Sequence, residues 1–171
     1  MNRPIRLAGA CMLIALAATP AHARDADEDS VKAAIVYNLL KFVELPRGAN
    51  EPKGVELRLC LLDATVAQES ALRTLNGRSV QGRIISVVDY AANACHVVYA
   101  GNGVGAGRLR ALADQGVLTI DGPAAIDNEG IVGLVTLDQR IRFEFNLDSA
   151  RRANIRIPAQ LLKLASRIKA D

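Results

Sequence analysis

Arg151, Arg152 and Arg156 cluster near the C-terminal end of the chain, between two segments with helical character. A guanidinium presents a planar fork of donors, so arginines in such a place could hold a carboxylate, a phosphate or an acidic patch on a protein partner. Arg151 and Arg152 also fall where a helix should end, and there they would complement its dipole as an exposed polar face. Asn146 stands just before Leu147, where a helix should begin, and its side chain suits an N-cap.

Other chemistry is sparse. GNGVGA, residues 101 to 106, follows a strand and opens a helix, with Asp121 ending the next strand; that is the layout of a dinucleotide fingerprint. A tight strand-to-helix turn accounts for the same glycines. His96 could serve as a base, but it adjoins Cys95 on an expected strand, and neighbours on a strand point to opposite faces. No G-x-S-x-G elbow surrounds any serine. The acidic run Asp25, Asp27, Glu28 and Asp29 lacks the glycine and terminal ligand of a calcium loop. No catalytic residue, metal set or cofactor is therefore expected.

The start of the chain explains part of the composition. Arg3 and Arg6, the apolar run LAGACMLIALAA and the small-x-small triplet Ala21-His22-Ala23 have the order of a secretory signal peptide over residues 1–23. The apolar run is shorter than the roughly 20 residues a membrane span needs. Without Arg3 and Arg6 the formal net charge falls from +3 to +1. A near-neutral surface offers no electrostatic footprint for nucleic acid. Cys11 would leave with the signal segment, so Cys60 and Cys95 remain. In an oxidising compartment such a pair is expected to join as a disulfide, closing a loop of about 36 residues worth roughly 3 to 4 kcal/mol. Two free thiols are the alternative.

Residues 24–30 read as a flexible acidic leader, followed by a single domain over 31–171. Ser30 suits an N-cap for the helix VKAAIVYNLLKFVEL, with Ala34, Ile35, Asn38, Leu39 and Phe42 on one side and Pro46 as its stop. VELRLCLL reads as a strand buried on both faces. A helix over 66–75, a turn at Asn76-Gly77 and strands at RIISVVD, HVVYA and VLTI follow, with a helix near 107–113 before the last of these. In the final third, Ile141, Phe143 and Phe145 alternate with Arg142, Glu144 and Asn146, and Asp138-Gln139 marks the reversal of a hairpin. Strands alternating with helices predict an α/β domain. Its mixed, largely parallel sheet should have about six strands, helices on both faces and the C-terminal hairpin as an edge. Leu161, Leu162, Leu164 and Ala165 should line a last helix covering that sheet.

Two stretches carry a family resemblance. FEFNLDSARRANIRIPAQLLKLA and KAAIVYNLLKFVELP together resemble the YfiR-like family of small secreted proteins, over roughly Val31 to Ile168. Its best-known member is a periplasmic repressor of a membrane-bound diguanylate cyclase. The resemblance implies a non-enzymatic periplasmic protein that binds the periplasmic sensor domain of an inner-membrane diguanylate cyclase, or a related membrane sensor, and so controls cyclic di-GMP. It further implies release by an outer-membrane lipoprotein or by loss of the disulfide. Lys32, Tyr37, Asn38, Lys41 and Phe42 match family positions in the first helix, and Lys41 joins the candidate contacts. Leu45 precedes Pro46 where many relatives have Trp. Arg156 lies in IRIP, matching a family segment where an Arg and a nearby His have been associated with a small aromatic amino acid; Pro158 stands where that His would fall. A homodimer is expected if the helix face around Tyr37 is exposed. A second class remains open: a periplasmic receptor binding a nucleotide or amino acid near Gly101 to Gly107 or near Arg156, and feeding a membrane signalling partner.

Overall fold

The computed structural model describes residues 21–46, 56–91, 95–101, 103–123 and 125–170. The expected signal segment up to residue 20, most of the linker after Pro46, and Asn102 of the glycine motif lie outside them. Eight strands form one mixed sheet in the order β2-β3-β1-β4-β5-β6-β7-β8. In chain order they are β1 (Leu57–Leu62), β2 (Ser79–Val80), β3 (Arg83–Asp89), β4 (Val97–Ala100), β5 (Leu118–Asp121), β6 (Val132–Leu137), β7 (Arg140–Asn146) and β8 (Arg167–Lys169). The helices are α1 (Ala21–Leu40), α2 (Val66–Arg73), α3 (Ala106–Asp114), α4 (Leu147–Arg152) and α5 (Ala159–Leu162). β3, β1, β4, β5 and β6 run parallel to one another, and β6 and β7 pair as an antiparallel hairpin.

The α/β class and largely parallel sheet agree with the sequence reading, but among the described residues there are eight strands where about six were expected. The additions are short edge pieces. β2 pairs antiparallel with β3, and three-residue β8 pairs parallel with β7, so the hairpin sits one strand in from the edge.

Side chains on β1 divide between two cores. Leu57, Leu59 and Leu61 join a large cluster with α1 and α2, while Cys60 and Leu62 join a smaller one with Leu109 and Leu112 of α3. Alternation along a strand sends successive residues to opposite faces, so helices cover both sides. The β6–β7 reversal has Asp138 and Gln139 at φ 48° and 59°, the two left-handed residues of a tight hairpin turn.

Three helix expectations change. α1 begins before Ser30, so residues 24–30, read as a leader, lie within the helix. Lys32 Nζ reaches Glu28 at 2.8 Å one turn earlier, and the Thr136 hydroxyl on β6 donates to Glu28 at 3.2 Å. These contacts tie the acidic turn to the fold. The buried row of α1 is Ala33, Val36, Leu39 and Leu40, continued by Val43 just past its end; of the residues expected to face inward only Leu39 is fully buried. The helix is apolar on two sides, and the row without a polar residue such as Asn38 took the sheet. The last helix stops at Leu162, leaving Leu164 66% exposed before β8 begins.

Gly101 explains the glycine motif in packing terms. A Cβ there would lie 1.9 Å from the Asp63 carbonyl oxygen, so only glycine lets the turn after β4 press against the turn after β1.

Candidate functional site: a capped junction and an exposed cationic rim

β7 runs straight into α4, and Asn146 makes the join. Its Oδ1 accepts from the backbone N–H groups of Asp148 at 3.1 Å and Ser149 at 3.0 Å, the N-cap pattern expected from sequence. Its Nδ2 donates to the Ile126 carbonyl at 3.0 Å, and the residue is 1% exposed. One amide thus fixes α4 to β7 and to the loop before β6.

Arg152 extends this junction. Its Nη2 meets Glu129 Oε2 at 2.5 Å and the Ser149 hydroxyl at 2.8 Å, and its Nε lies 3.5 Å from Asp114 at the end of α3. Glu129 has a left-handed φ of 67°, and Lys169 Nζ approaches its other carboxylate oxygen at 3.8 Å. Beside it, Arg167 holds Asp127 at 2.7 Å and the buried Glu144 at 3.4 Å. The hydrogen bond to Asp127, helped by the Glu144 charge, pushes the Arg167 pKa further up. Basic groups of α4 and β8 therefore clamp the 126–130 loop.

The remaining candidates face solvent. Arg151 pairs with Asp148 on its own helix and its Nε donates to the Leu147 carbonyl at 3.3 Å, with the side chain 63% exposed. Arg156 is held by its backbone alone: it exchanges N–H···O bonds of 3.0 and 2.9 Å with Glu44 in an isolated bridge. Its side chain is 79% exposed, and its Nη1 is 3.7 Å from the Glu44 carboxylate. An exposed pair at that distance contributes about 0 to 1 kcal/mol, so the guanidinium can leave Glu44 for a better acceptor. Pro158, where the family pattern has His, is the N-cap residue of α5.

The Glu44 bridge brings the end of α1 to the segment carrying Arg156, which sequence spacing did not show. There Lys41 Nζ lies 4.2 Å above the Tyr37 ring and donates to Asn38 Oδ1 at 3.0 Å, while Arg78 lies 5.0 Å from the same ring. Tyr37 donates its hydroxyl proton to the Ser79 carbonyl at 3.3 Å. Gln81 Nε2 donates to the carbonyls of Leu40 and Val43, both at 2.9 Å, closing off the C-terminal end of α1. Phe42, expected among the inward-facing residues, is 44% exposed.

On the other side of the sheet Cys60 and Cys95 form the disulfide, with Cα atoms 5.8 Å apart. His96 next to it accepts the Arg58 backbone N–H on Nδ1 at 3.0 Å, a structural engagement that leaves Nε2 to carry the proton. Among the described residues no group of three potential metal ligands comes together, and no helix is long and apolar enough to cross a membrane.

Several contributors escaped sequence reasoning. Asp114, Glu129, Arg167 and Lys169 act only through contacts between distant segments. Gln81, at φ 50° beside Gly82 at φ 76°, had a local signal in the dipeptide Gln-Gly, a tight-turn pattern.

A capped frame thus carries the exposed side chains of Arg151, Arg156 and Lys41 in front of it. The family model for YfiR/HmsC-like proteins matches residues 29–166, and the chain belongs to that family. It is in that sense a YfiR-type regulator. The comparison with curated proteins finds no match.

Proposed function

We propose that this protein acts in the periplasm, after removal of residues 1–23, by binding the periplasmic sensor domain of an inner-membrane diguanylate cyclase and holding the cyclase inactive. The family match over 29–166 carries this reading. The Cys60–Cys95 disulfide supports an oxidising compartment. Repression of this kind works by preference: the regulator binds the inactive conformation of its target more tightly, and it shifts the signal only by that difference.

Arg156, Arg151 and Lys41 supply the contacts in this proposal, because their side chains are exposed. Asn146 and Arg152 hold the backbone that presents them. An outer-membrane lipoprotein that sequesters the protein, or reduction of the disulfide, would release the cyclase. Immobilised, oxidised protein of residues 24–171 should retain a membrane diguanylate cyclase from detergent extract, and Arg156→Glu with Lys41→Glu should lower that capture. Equal capture by the double variant would remove these residues from the contact. Retention of no cyclase would count against the partner.

A further inference from the structure

We propose that the turn end of the β6–β7 hairpin, together with the turn leading into β8, docks on a surface of anionic phospholipid. Charge divides unevenly along the chain: residues 139–171 hold eight Lys and Arg against three Asp and Glu, while residues 24–138 hold eleven against fifteen. The basic excess therefore sits on β7, β8 and the two short helices between them, at one edge of the sheet. Arg151, Arg152, Arg156, Arg167 and Lys169 there each face a carboxylate. Arg140, Arg142 and Lys163 are exposed, and among the described residues their side chains meet no carboxylate and no aromatic ring. Arg140 stands opposite Leu137 across the hairpin, and Arg142 lies two residues on along the same face of β7. The Ser166 N–H donates to the Phe143 carbonyl at 3.0 Å, which brings the turn carrying Lys163 and Leu164 alongside that half of β7. Leu137 is 47% and Leu164 66% exposed. Three unpaired cations thus accompany two protruding leucines.

Cations beside exposed leucines suit an anionic bilayer: the charges meet headgroup phosphates, and the leucines enter the apolar layer beneath. Both leucines stand at turns on the margin of the molecule, where a protein partner would need a matching hollow and a bilayer needs none. The uneven charge orients the approach, since an anionic surface attracts this edge and repels the acidic remainder. The acidic turn of α1 lies on the hairpin's other face. Thr136, which holds Glu28, points away from Leu137, its neighbour on the strand, and Lys32 pairs with both Glu28 and Asp29. From Glu28 to Leu40 α1 then runs about 18 Å toward the Glu44–Arg156 bridge. The rim proposed to meet the cyclase is thereby held off the lipid. That consequence rests on the proposed function; the lipid surface itself does not.

Co-sedimentation of oxidised residues 24–171 with protein-free vesicles tests this, comparing phosphatidylcholine alone with phosphatidylcholine carrying about 40% phosphatidylglycerol. At about 20 mM salt the anionic vesicles should bind about a hundredfold more strongly, at roughly fivefold per cation, and about 300 mM salt should remove most of the difference. Arg140→Gln with Arg142→Gln should weaken binding about 25-fold and Leu164→Ser about tenfold, each with an unchanged circular dichroism spectrum. Arg73→Gln with Arg78→Gln, the same loss of charge beside the opposite edge of the sheet, should change it less than about twofold. Equal binding to the two kinds of vesicle overturns the proposal, as does an equal loss in both double variants. Absence of vesicle binding, with cyclase capture lost in Arg140→Gln with Arg142→Gln, also overturns it and gives the patch to a protein partner. The vesicles hold no protein, so a failure here leaves the cyclase reading standing, and a failure of cyclase capture leaves the lipid surface standing.

Discussion

Arg152 and Arg156 lie four residues apart, yet they have opposite environments. Arg152 is enclosed by Glu129, Ser149 and Asp114 from three segments, while Arg156 extends into solvent against one exposed carboxylate. Asn146 and Lys41 divide in the same way, one buried in a cap and one lying on an aromatic ring. Polar residues in contact with several partners define the frame. Those whose partners are few and solvent-exposed remain free to meet another molecule. Two residues of the same type can therefore differ in what they do because of where the fold puts their neighbours.

That contrast predicts a graded response to substitution. Asn146→Ala removes a cap and the nearer of two donors to the Ile126 carbonyl, leaving it Lys169 Nζ at 3.4 Å, so unfolding in urea should show a loss of about 2 to 4 kcal/mol. Arg152→Ala should cost less, about 1 to 2 kcal/mol, and added salt should shrink the difference from wild type because the pairs are partly exposed. Arg151→Ala and Arg156→Ala should each change stability by no more than about 0.5 kcal/mol. If Arg156→Ala proved as damaging as Asn146→Ala, the division between frame and rim would fail.

A pH measurement sharpens the comparison at the start of α1. The hydrogen bond from Lys32 holds the Glu28 carboxyl below its usual 4.5, outweighing the opposing effect of burial. A carboxyl lowered on folding contributes stability above its unfolded pKa and loses it as pH falls through the folded value. Glu28→Gln should accordingly lower stability modestly at neutral pH, and the gap to the wild type should close as pH falls below about 4.5, flattening the acid limb of the stability curve. An unaltered acid limb would mean the acidic turn of α1 is not fastened to Lys32 in solution.

How much could be read from the chain varied with the range of the interaction. The hairpin was legible because Ile141, Phe143 and Phe145 keep strict alternation and Asp138-Gln139 supplies the turn. Asn146 as a cap was legible for the same local reason, and Cys60 with Cys95 because they are the two cysteines outside the expected signal segment. The inner face of α1 was not, since Val31, Ile35 and Phe42 compete with Val36, Leu40 and Val43 and only the sheet decides between them. β8 was missed because Arg167, Ile168 and Lys169 are too few to show a period. Arg152 read as solvated because Asp114 and Glu129 lie far away in sequence.

The account depends most on regulation by docking in the periplasm. Cellular cyclic di-GMP, measured with the gene deleted and again with it restored, tests this directly. The account predicts a rise on deletion that the wild-type protein reverses and that a version lacking residues 1–23 does not. Unchanged cyclic di-GMP on deletion, or full reversal by the version without that segment, would contradict it.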